Sequence, residues 1–345
     1  MSTTTDPTSP ETGERLLLAL CRGHVLLPEL GLSLSDLAVS LLGSGESYAA
    51  WLVTGGASSL VFRLARRRPE DMPCPMIDEF RAGRLIPDDM GSRPLAMDDS
   101  AANPLGAPYI VSTFAPGTVL VPSAWDLPLL RAHARRLAVL HRRRFALAGP
   151  AGRAGSRLDI VEEFDGGYAW WRRAHPDVAE QASVVALARH IRARLVAAAP
   201  AFHGVSYSLI HGDLVATNVV VDETATPRYI DWEWARIGDV ANDLALIGGR
   251  VVGGPWYVPM DDATLDEFLH AYHVARAEYS PEAMEPLAAL RARRDAWELM
   301  ERFLTSLHFE LQSRRSSKAP MYAQATRDIR DGLHTVLDDD GRVDG

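Results

Sequence analysis

The spacing of hydrophobic positions changes once along the chain. From about residue 32 to residue 114 these positions form short strand-like runs: Leu37–Leu42, Ala49–Val53, Ser59–Leu64 and Pro108–Phe114. Glycine-containing turns, Gly43–Ser47 and Thr54–Gly56, separate the first three runs. Short strands joined by such turns are typical of an antiparallel meander.

After Pro128 the spacing becomes helical. Leu130, Ala134, Leu137 and His141 recur on one face of a helix predicted over Leu129–Arg144. Three further helices are predicted over the ranges Val178–Ala199, Thr264–Glu278 and Pro281–Gln312, the last one capped by Ser280. The polar stretch Gly149–Pro176 between them is predicted to be rich in loops.

These patterns predict an α+β fold with two lobes. A small antiparallel β-rich N-terminal lobe would span residues 11–114, and a larger, mainly helical C-terminal lobe would span residues 115–337. The hinge would fall near Ser112–Gly117. Residues 1–10 and 338–345 are polar, and we expect both ends to be disordered.

Composition narrows the functional class. The 345 residues suffice for about two domains. Only two cysteines occur, which excludes a disulfide scaffold and favours a reducing cytoplasm. The net charge of −9 argues against a dedicated nucleic-acid binder, and no apolar run approaches the roughly 20 residues of a membrane span. We therefore expect a cytoplasmic monomer or homodimer without nucleic-acid or membrane partners.

The candidate chemistry is concentrated between His211 and Asp243. His211-Gly212-Asp213 is followed by Asn218 and, thirteen residues later, by Asp231. Apolar runs flank a turn between the last two residues, so a hairpin would bring Asn218 and Asp231 to the mouth of one site. Phosphoryl transfer requires a carboxylate that orients the attacking hydroxyl and oxygen ligands for Mg²⁺. Asp213 is suited to the first role, and Asn218 and Asp231 are suited to the second.

The same residues resemble the aminoglycoside phosphotransferase and choline-kinase-like superfamily. The matching motifs are His211-Gly212-Asp213 with Asn218, Ile230-Asp231-Trp232-Glu233, Gly238-Asp239 and Asp243-Leu244-Ala245. The resemblance implies a two-lobed kinase-like fold and Mg²⁺-dependent transfer of phosphate from ATP or GTP to the hydroxyl of a small molecule. It implies that Asp213 is the catalytic base, that Asn218 and Asp231 bind magnesium, and that His211, Asp239 and Asp243 support the loop.

The N-terminal half extends the resemblance to the nucleotide site. Ser44 and Gly45 lie where the family has its phosphate-covering loop, although a plain hairpin turn is the alternative. Arg63 stands where the family normally has a phosphate-binding lysine, and its planar fork differs from lysine in reach and geometry. Glu79 is the expected acidic partner of Arg63, with Asp78 as its competitor. Backbone groups of Ser112 and Phe114 would hold the purine edge.

The acceptor is less defined by the sequence. Acidic residues that could pair with ammonium groups are Glu162, Glu163, Asp165, Asp261, Asp262, Glu298 and Glu301, and aromatic residues that could stack on a ring are Trp170, Trp171, Trp256 and Tyr257. The leading hypothesis is an aminoglycoside-like or other antibiotic as acceptor. The alternatives are a housekeeping kinase of the choline, homoserine or sugar type and a nucleotide-binding pseudokinase without catalysis.

Overall fold

The computed structural model describes residues 6–23, 32, 36–68, 71–72, 74–100 and 103–343. The chain divides into two compact units. The first unit contains the described residues up to Pro116 together with Pro150–Gly152 and Arg228–Arg236, and the second unit contains the remainder. The segment Arg228–Arg236, which we had placed in the C-terminal lobe, is therefore grouped with the first unit.

A five-stranded antiparallel sheet and two helices make up the first unit up to Thr113. In chain order the elements are α1 (Pro10–Cys21), β1 (Ala38–Ser44), β2 (Tyr48–Gly55), β3 (Ser58–Ala65), α2 (Met76–Gly83), β4 (Pro94–Asp98) and β5 (Tyr109–Thr113). The strand order is β1-β2-β3-β5-β4, and every neighbouring pair is antiparallel. The antiparallel β-rich N-terminal region is confirmed, although the sequence pattern did not predict α1 and β4.

The core of the first unit lies between the sheet and α1. Ser9 caps α1 by accepting a hydrogen bond from the backbone N–H of Thr12, and Pro10 occupies the first turn, where its missing N–H does no harm. Leu16 of α1 packs into one hydrophobic cluster with Trp51 and Phe62 of the central strands. The helix therefore supplies part of the core that the alternating strand residues require.

Helices dominate the remainder of the chain. Its elements are β6 (Thr118–Val119), α3 (Leu127–Leu140), β7 (Arg144–Phe145), α4 (Ile160–Ala174), α5 (Pro176–Ala179), α6 (Ala182–Ala198), β8 (Tyr207–Ile210), β9 (Val219–Val221), β10 (Pro227–Tyr229), β11 (Arg236–Gly238), α7 (Val240–Leu246), β12 (Gly248–Gly249), β13 (Val258–Pro259), α8 (Asp262–Tyr279), α9 (Leu287–Gln312) and α10 (Ala319–Val343). Aspartates cap four of these helices: Asp126, Asp159, Asp239 and Asp261. The helical C-terminal part confirms the predicted α+β class.

Helix α4 occupies most of the stretch that we predicted to be rich in loops. Asp159 caps it by accepting from the N–H groups of Val161 and Glu162, and Ile160, Phe164 and Trp171 are buried. The sequence obscures this helix because Gly166 and Gly167, both poor helix formers, interrupt its interior.

Two predicted boundaries near the C-terminus are wrong. Helix α9 begins at Leu287, because Pro286 cannot continue a helix that starts earlier, and Pro281–Ala283 forms a short 3₁₀ turn. Helix α10 extends to Val343, through part of the tail 338–345 that we expected to be disordered. Residues 344–345, and residues 1–5 of the predicted N-terminal tail, lie outside the described residues. No helix in the described ranges has the length and apolar character of a membrane span.

Two leucines of α1 test whether this helix belongs to the core. Leu16 is fully buried, whereas Leu18 is 47% exposed. We expect Leu16→Ala to lower the free energy of unfolding by about 2–5 kcal/mol, because it leaves a cavity. Leu18→Ala, the matched control on the same helix, should change it by less than about 0.5 kcal/mol. Urea unfolding measures both variants, and equal effects would contradict the packing of α1.

A buried histidine makes the stability depend on pH. His133 of α3 packs between Trp125 and Phe268, and burial lowers the pKa of His133 to about 3. The folded state thus keeps His133 neutral, while the unfolded chain binds a proton below about pH 6.5. Stability should therefore fall as the pH drops from 6.5 towards 3, by about 1.4 kcal/mol per pH unit for this one group.

The variant His133→Phe should remove this contribution. Urea unfolding at a series of pH values between 7 and 5 would give a shallower pH slope for the variant than for the wild type. An unchanged slope would show that His133 does not cause the dependence.

Candidate active site

Arg63 lies at the centre of a buried cluster of charges in the first unit. The residue stands in β3, directly across from Ala50 of β2. One terminal nitrogen of its guanidinium donates to Glu79 of α2, and the other donates to Oδ1 of Asp231 at 2.5 Å. Of the two acidic residues that the sequence offered as partner, Glu79 makes the contact, whereas Asp78 lies 3.6 Å from Arg81. Three predicted site residues are thus in one cluster.

The backbone around Asp231 is anchored two residues earlier. The N–H of Tyr229 donates to the carbonyl of Met90, and the Tyr229 carbonyl accepts from Ser92. Asp231 itself has φ +65°, a left-handed conformation that is uncommon for residues other than glycine. Such strain persists only where the surroundings hold it, and it is concentrated at functional sites. The Asp231 side chain remains 39% exposed, so its carboxylate can be reached from solvent.

The charges in this cluster shift the pKa of Arg63 and of Glu233. Burial disfavours the charge on Arg63, but Glu79 and Asp231 outweigh burial and raise the pKa of Arg63, which stays protonated. Burial, followed by the charge of Asp231, raises the pKa of Glu233 to about 7, although a hydrogen bond with Ser47 acts in the opposite direction. Two further carboxylates, Glu79 and Glu233, therefore act on Asp231 and Arg63.

The turn between β1 and β2 contains the predicted phosphate-covering residues. Ser44 ends β1, the N–H of Gly45 donates to the Tyr48 carbonyl, and the Gly45 carbonyl accepts from Arg66. These contacts are those of a hairpin turn. A phosphate-covering role for Ser44 and Gly45 stays a prediction.

The proposed purine strand is β5. Ser112 is buried within it, and Phe114 follows its end. The N–H groups of Thr113 and Phe114 donate to the carbonyls of Arg93 and Ser59, so the sheet already uses both amides. A hydrogen bond between Phe114 and a purine would therefore have to use the Phe114 carbonyl. The predicted purine contact at this residue is limited to that group.

In the second unit, Asp213 and Asn218 lie on the loop that follows β8. The Asn218 side-chain amide donates to the backbone carbonyl of Asp213 at 2.8 Å and to its Oδ2 at 2.9 Å. The backbone N–H of Asp213 donates to Nδ1 of the fully buried His211 at 3.3 Å. Because the Asn218 nitrogen faces Asp213, the amide oxygen is turned away from the Asp213 carboxylate.

A single buried carboxylate, Asp243 of α7, holds the start of this loop. Its two oxygens accept the backbone N–H groups of His211 at 2.8 Å and Gly212 at 2.9 Å. Oδ2 also contacts Nε2 of His141 at 3.2 Å, and Nδ1 of His141 contacts the Tyr272 hydroxyl at 3.0 Å. Burial favours a raised pKa for Asp243, but the hydrogen bonds from His141 and His211 outweigh it and lower the pKa. Since burial also lowers the pKa of His141, the histidine is neutral and donates from Nε2.

Asp239, which we expected to support the loop directly, has a different position. Its side chain caps α7 and accepts hydrogen bonds from Arg293 and Trp297 of α9, each at 3.0 Å. It therefore ties α7 to α9 and supports the loop only through Asp243 on that helix.

The aromatic residues expected near the acceptor already contact protein groups. The Trp256 carbonyl accepts from the N–H of Ala216 in the catalytic loop, while its ring lies 4.3 Å from Phe309 and 5.5 Å from Tyr322 between centroids. The Arg302 guanidinium covers the face of Tyr257 at 3.4 Å. The rings of Trp256 and Tyr257 are thus packed against side chains of the second unit, and the backbone of Trp256 contacts the loop that follows β8.

Most of the acidic candidates are engaged in the same way. The contacts are Asp165 with Arg192, Asp261 with the first turn of α8, Asp262 with Arg291, Glu298 with Arg294, and Glu301 with Asn242. Glu162 and Glu163, both exposed, lie in the first turn of α4. The predicted ammonium receptor is therefore mostly occupied by contacts that stabilise the fold.

Each unit contributes one oxygen donor with the chemistry of a magnesium ligand. Asn218 of the second unit offers an amide oxygen and Asp231 of the first unit offers a carboxylate, both hard donors of the kind that Mg²⁺ prefers. Among the described residues there is no group of three or more His, Cys, Asp or Glu side chains that could hold a metal on its own. A magnesium role for either residue stays a prediction.

Three residues of these clusters received no role from the sequence: Tyr48, Glu233 and Tyr272. The ring of Tyr48 lies 4.1 Å from the Arg63 guanidinium. Strand alternation could have predicted this contact, because Ala50 is paired with Arg63 and Tyr48, two residues earlier, points to the same face. No local signal marks Tyr272, which lies 131 residues from its partner His141.

Asp243 provides a test of the loop support. In Asp243→Asn an amide of the same size would bring N–H hydrogens against the N–H groups of His211 or Gly212. We expect the free energy of unfolding to fall by about 2–4 kcal/mol. Glu267→Gln, which removes a carboxylate from an exposed pair with Arg131, is the control and should change little. Denaturant unfolding compares the two, and similar small effects would contradict the proposed support.

Comparison with known proteins places the chain in a family. The sequence model of the phosphotransferase enzyme family matches residues 38–290. No protein with curated annotation matches the chain. Solved structures do: choline kinase from Cryptosporidium parvum Iowa II has a TM-score of 0.61 at 14% identity, with 94% of this chain and 93% of that chain covered. Ethanolamine kinase from Plasmodium vivax has a TM-score of 0.60 at 13% identity, with 93% and 86% covered.

An antibiotic-modifying enzyme is similar to the same extent in sequence. A thermostable mutant of aminoglycoside phosphotransferase APH(4)-Ia, in a ternary complex with AMP-PNP and hygromycin B, has a TM-score of 0.53 at 16% identity, with 86% and 95% covered. At these identities the structures show a shared fold, the protein-kinase-like fold that the sequence predicted. The family match covers most of the chain, and the chain belongs to the phosphotransferase enzyme family as a small-molecule phosphotransferase.

Proposed function

We propose that the protein transfers the γ-phosphate of ATP or GTP to a hydroxyl group of a small molecule with the help of Mg²⁺. The observation that carries this proposal is the pairing of Asp213 with Asn218 on a loop whose first two amides are held by Asp243. A carboxylate fixed in this way can accept the hydrogen bond of an attacking hydroxyl and orient its oxygen.

The other groups have complementary roles. Asn218 and Asp231 would hold magnesium, which neutralises phosphate charge when bound. His211 would keep the backbone of Asp213 in place through its ring nitrogen. Arg63 would face the phosphates beside Asp231. The relative APH(4)-Ia binds the ATP analogue AMP-PNP, which supports ATP as the donor.

The acceptor is proposed at two levels. The coarser level, a small hydroxyl compound, rests on the family. At the finer level we propose an antibiotic-like acceptor, because APH(4)-Ia binds hygromycin B. A metabolite kinase of the choline type is the second candidate, and the likeness of the fold to choline and ethanolamine kinases supports it equally.

A pseudokinase is disfavoured by the site itself. Loss of catalysis relaxes the selection for a paired base and metal ligands, yet Asp213, Asn218 and Asp231 are all retained. The one departure, Arg63, keeps its charge and its acidic partner Glu79.

A nucleotide-consumption screen separates the acceptor classes. ATP and GTP would each be offered with aminoglycosides, macrolides, peptide antibiotics, choline, homoserine and simple sugars. Turnover with an antibiotic, together with drug resistance in a susceptible host, would support the first candidate. Turnover with choline, homoserine or a sugar would support the second.

Asp213 provides the direct test of catalysis. We expect Asp213→Asn to lower kcat by about 100-fold or more, because the amide cannot act as the base, while nucleotide affinity changes little. Asp231→Asn is the contrasting variant and should weaken nucleotide binding in the presence of Mg²⁺. Steady-state kinetics and calorimetric binding measure the two effects. Undiminished turnover in Asp213→Asn would overturn the assignment.

A further inference from the structure

The guanidinium of Arg63 is fixed on three sides. Its terminal nitrogens go to two different carboxylates, Glu79 and Asp231, and its flat face lies 4.1 Å from the centre of the Tyr48 ring. Arg63 and Glu79 are both buried. A side chain held in this way has one orientation, so it can determine the orientation of a partner that is less constrained.

Asp231 is that partner. Its side chain is 39% exposed, whereas those of Arg63 and Glu79 are 10% and 1% exposed. The contact with Arg63 uses Oδ1, which leaves Oδ2 available to a ligand. An exposed carboxylate would otherwise sample several rotamers, and the entropy of ordering it would oppose metal binding. Arg63 has ordered it in advance.

Lysine cannot make the same set of contacts. Its ammonium group is a single point charge on a flexible stem, while the arginine fork presents two separated N–H groups in one plane and stacks on an aromatic face. A lysine at position 63 could keep the ion pair with Glu79. It would lose the contact of the guanidinium with the Tyr48 ring and the separate nitrogen that donates to Asp231.

A neighbouring acidic residue makes the contact between Arg63 and Asp231 more important. Glu233 lies two residues from Asp231, so a second acidic side chain stands near the first in the sequence. A cation that holds Oδ1 offsets the repulsion between like charges at close range.

We propose that Arg63 is a positioning residue for the metal-binding carboxylate. The guanidinium nitrogen that donates to Asp231 holds its Oδ1 so that Oδ2 is directed to the divalent cation. This inference rests on the proposed metal role of Asp231. It gives the planar fork of arginine at this position a role beside any contact with phosphate.

The test measures metal binding apart from turnover. Mn²⁺, a paramagnetic substitute for Mg²⁺, would be titrated into the protein in the presence of AMP-PNP, and electron paramagnetic resonance would report the free ion. We expect Arg63→Lys to weaken Mn²⁺ binding by about 10-fold, the usual effect of removing a group that orients a metal ligand. The loss of AMP-PNP affinity at saturating Mn²⁺ should be smaller than the loss of Mn²⁺ affinity, because lysine keeps a positive charge beside the phosphates.

Three further variants make the result decisive. Arg93→Lys, the same change in an exposed pair with Asp88, should leave both affinities unchanged. In the Asp231→Asn background, Arg63→Lys should add no further loss of Mn²⁺ affinity, since both changes remove one contact. Should Arg63→Lys fold poorly, Tyr48→Leu loosens the guanidinium without touching a carboxylate and should weaken Mn²⁺ binding in the same direction.

The outcomes separate this inference from the proposed function. If Asp231→Asn weakens Mn²⁺ binding and Arg63→Lys does not, the positioning role is overturned and the metal role of Asp231 stands. If Asp231→Asn itself has no effect, the metal role fails. A parallel loss of Mn²⁺ and AMP-PNP affinity with a lower Tm in Arg63→Lys would show a merely structural role and overturn the inference.

Discussion

A carboxylate buried without solvent is tolerated only when hydrogen bonds replace its hydration, and Asp243 is such a group. Removing an ion from water costs several kcal/mol, which donors within the protein must offset. Here the donors are two backbone amides and the ring of His141. They come from the loop after β8 and from the end of α3, so both must be in place before the charge is satisfied. The start of the loop after β8 is thus held by the need of one buried carboxylate for hydrogen-bond donors.

Buried arginines support the same loop from another direction. Arg294 and Arg302 of α9 are fully buried, and they donate to the carbonyls of Gly248, Ala245 and Val251. These contacts fix the chain that leads to Trp256, whose carbonyl accepts from Ala216. The long helix α9 therefore acts through the backbone between the end of α7 and Val251, where a guanidinium with several donors can satisfy carbonyl groups.

Local signals were sufficient for the central strands of the N-terminal sheet, because alternation and glycine turns act over a few residues. They failed where distant residues decide the structure. Helix α4 is stabilised by burial of Phe164 against Phe303 of α9, which outweighs the two glycines in its interior. Tyr272 acquires its place from the packing of α8 on α3, and nothing in its own neighbourhood marks it. The contact of Tyr48 with Arg63 could have been predicted, because strand register alone places Tyr48 beside Arg63.

The acceptor illustrates why composition is a weak guide to specificity. Acidic side chains in the helical part looked available for ammonium groups, yet pairing with arginines accounts for Asp165, Asp262 and Glu298. Of these three, the pair of Glu298 with Arg294 is buried, whereas the carboxylates of Asp165 and Asp262 are exposed, and exposed ion pairs contribute little to stability. Acidic residues counted from the sequence therefore do not identify the groups that discriminate among acceptors.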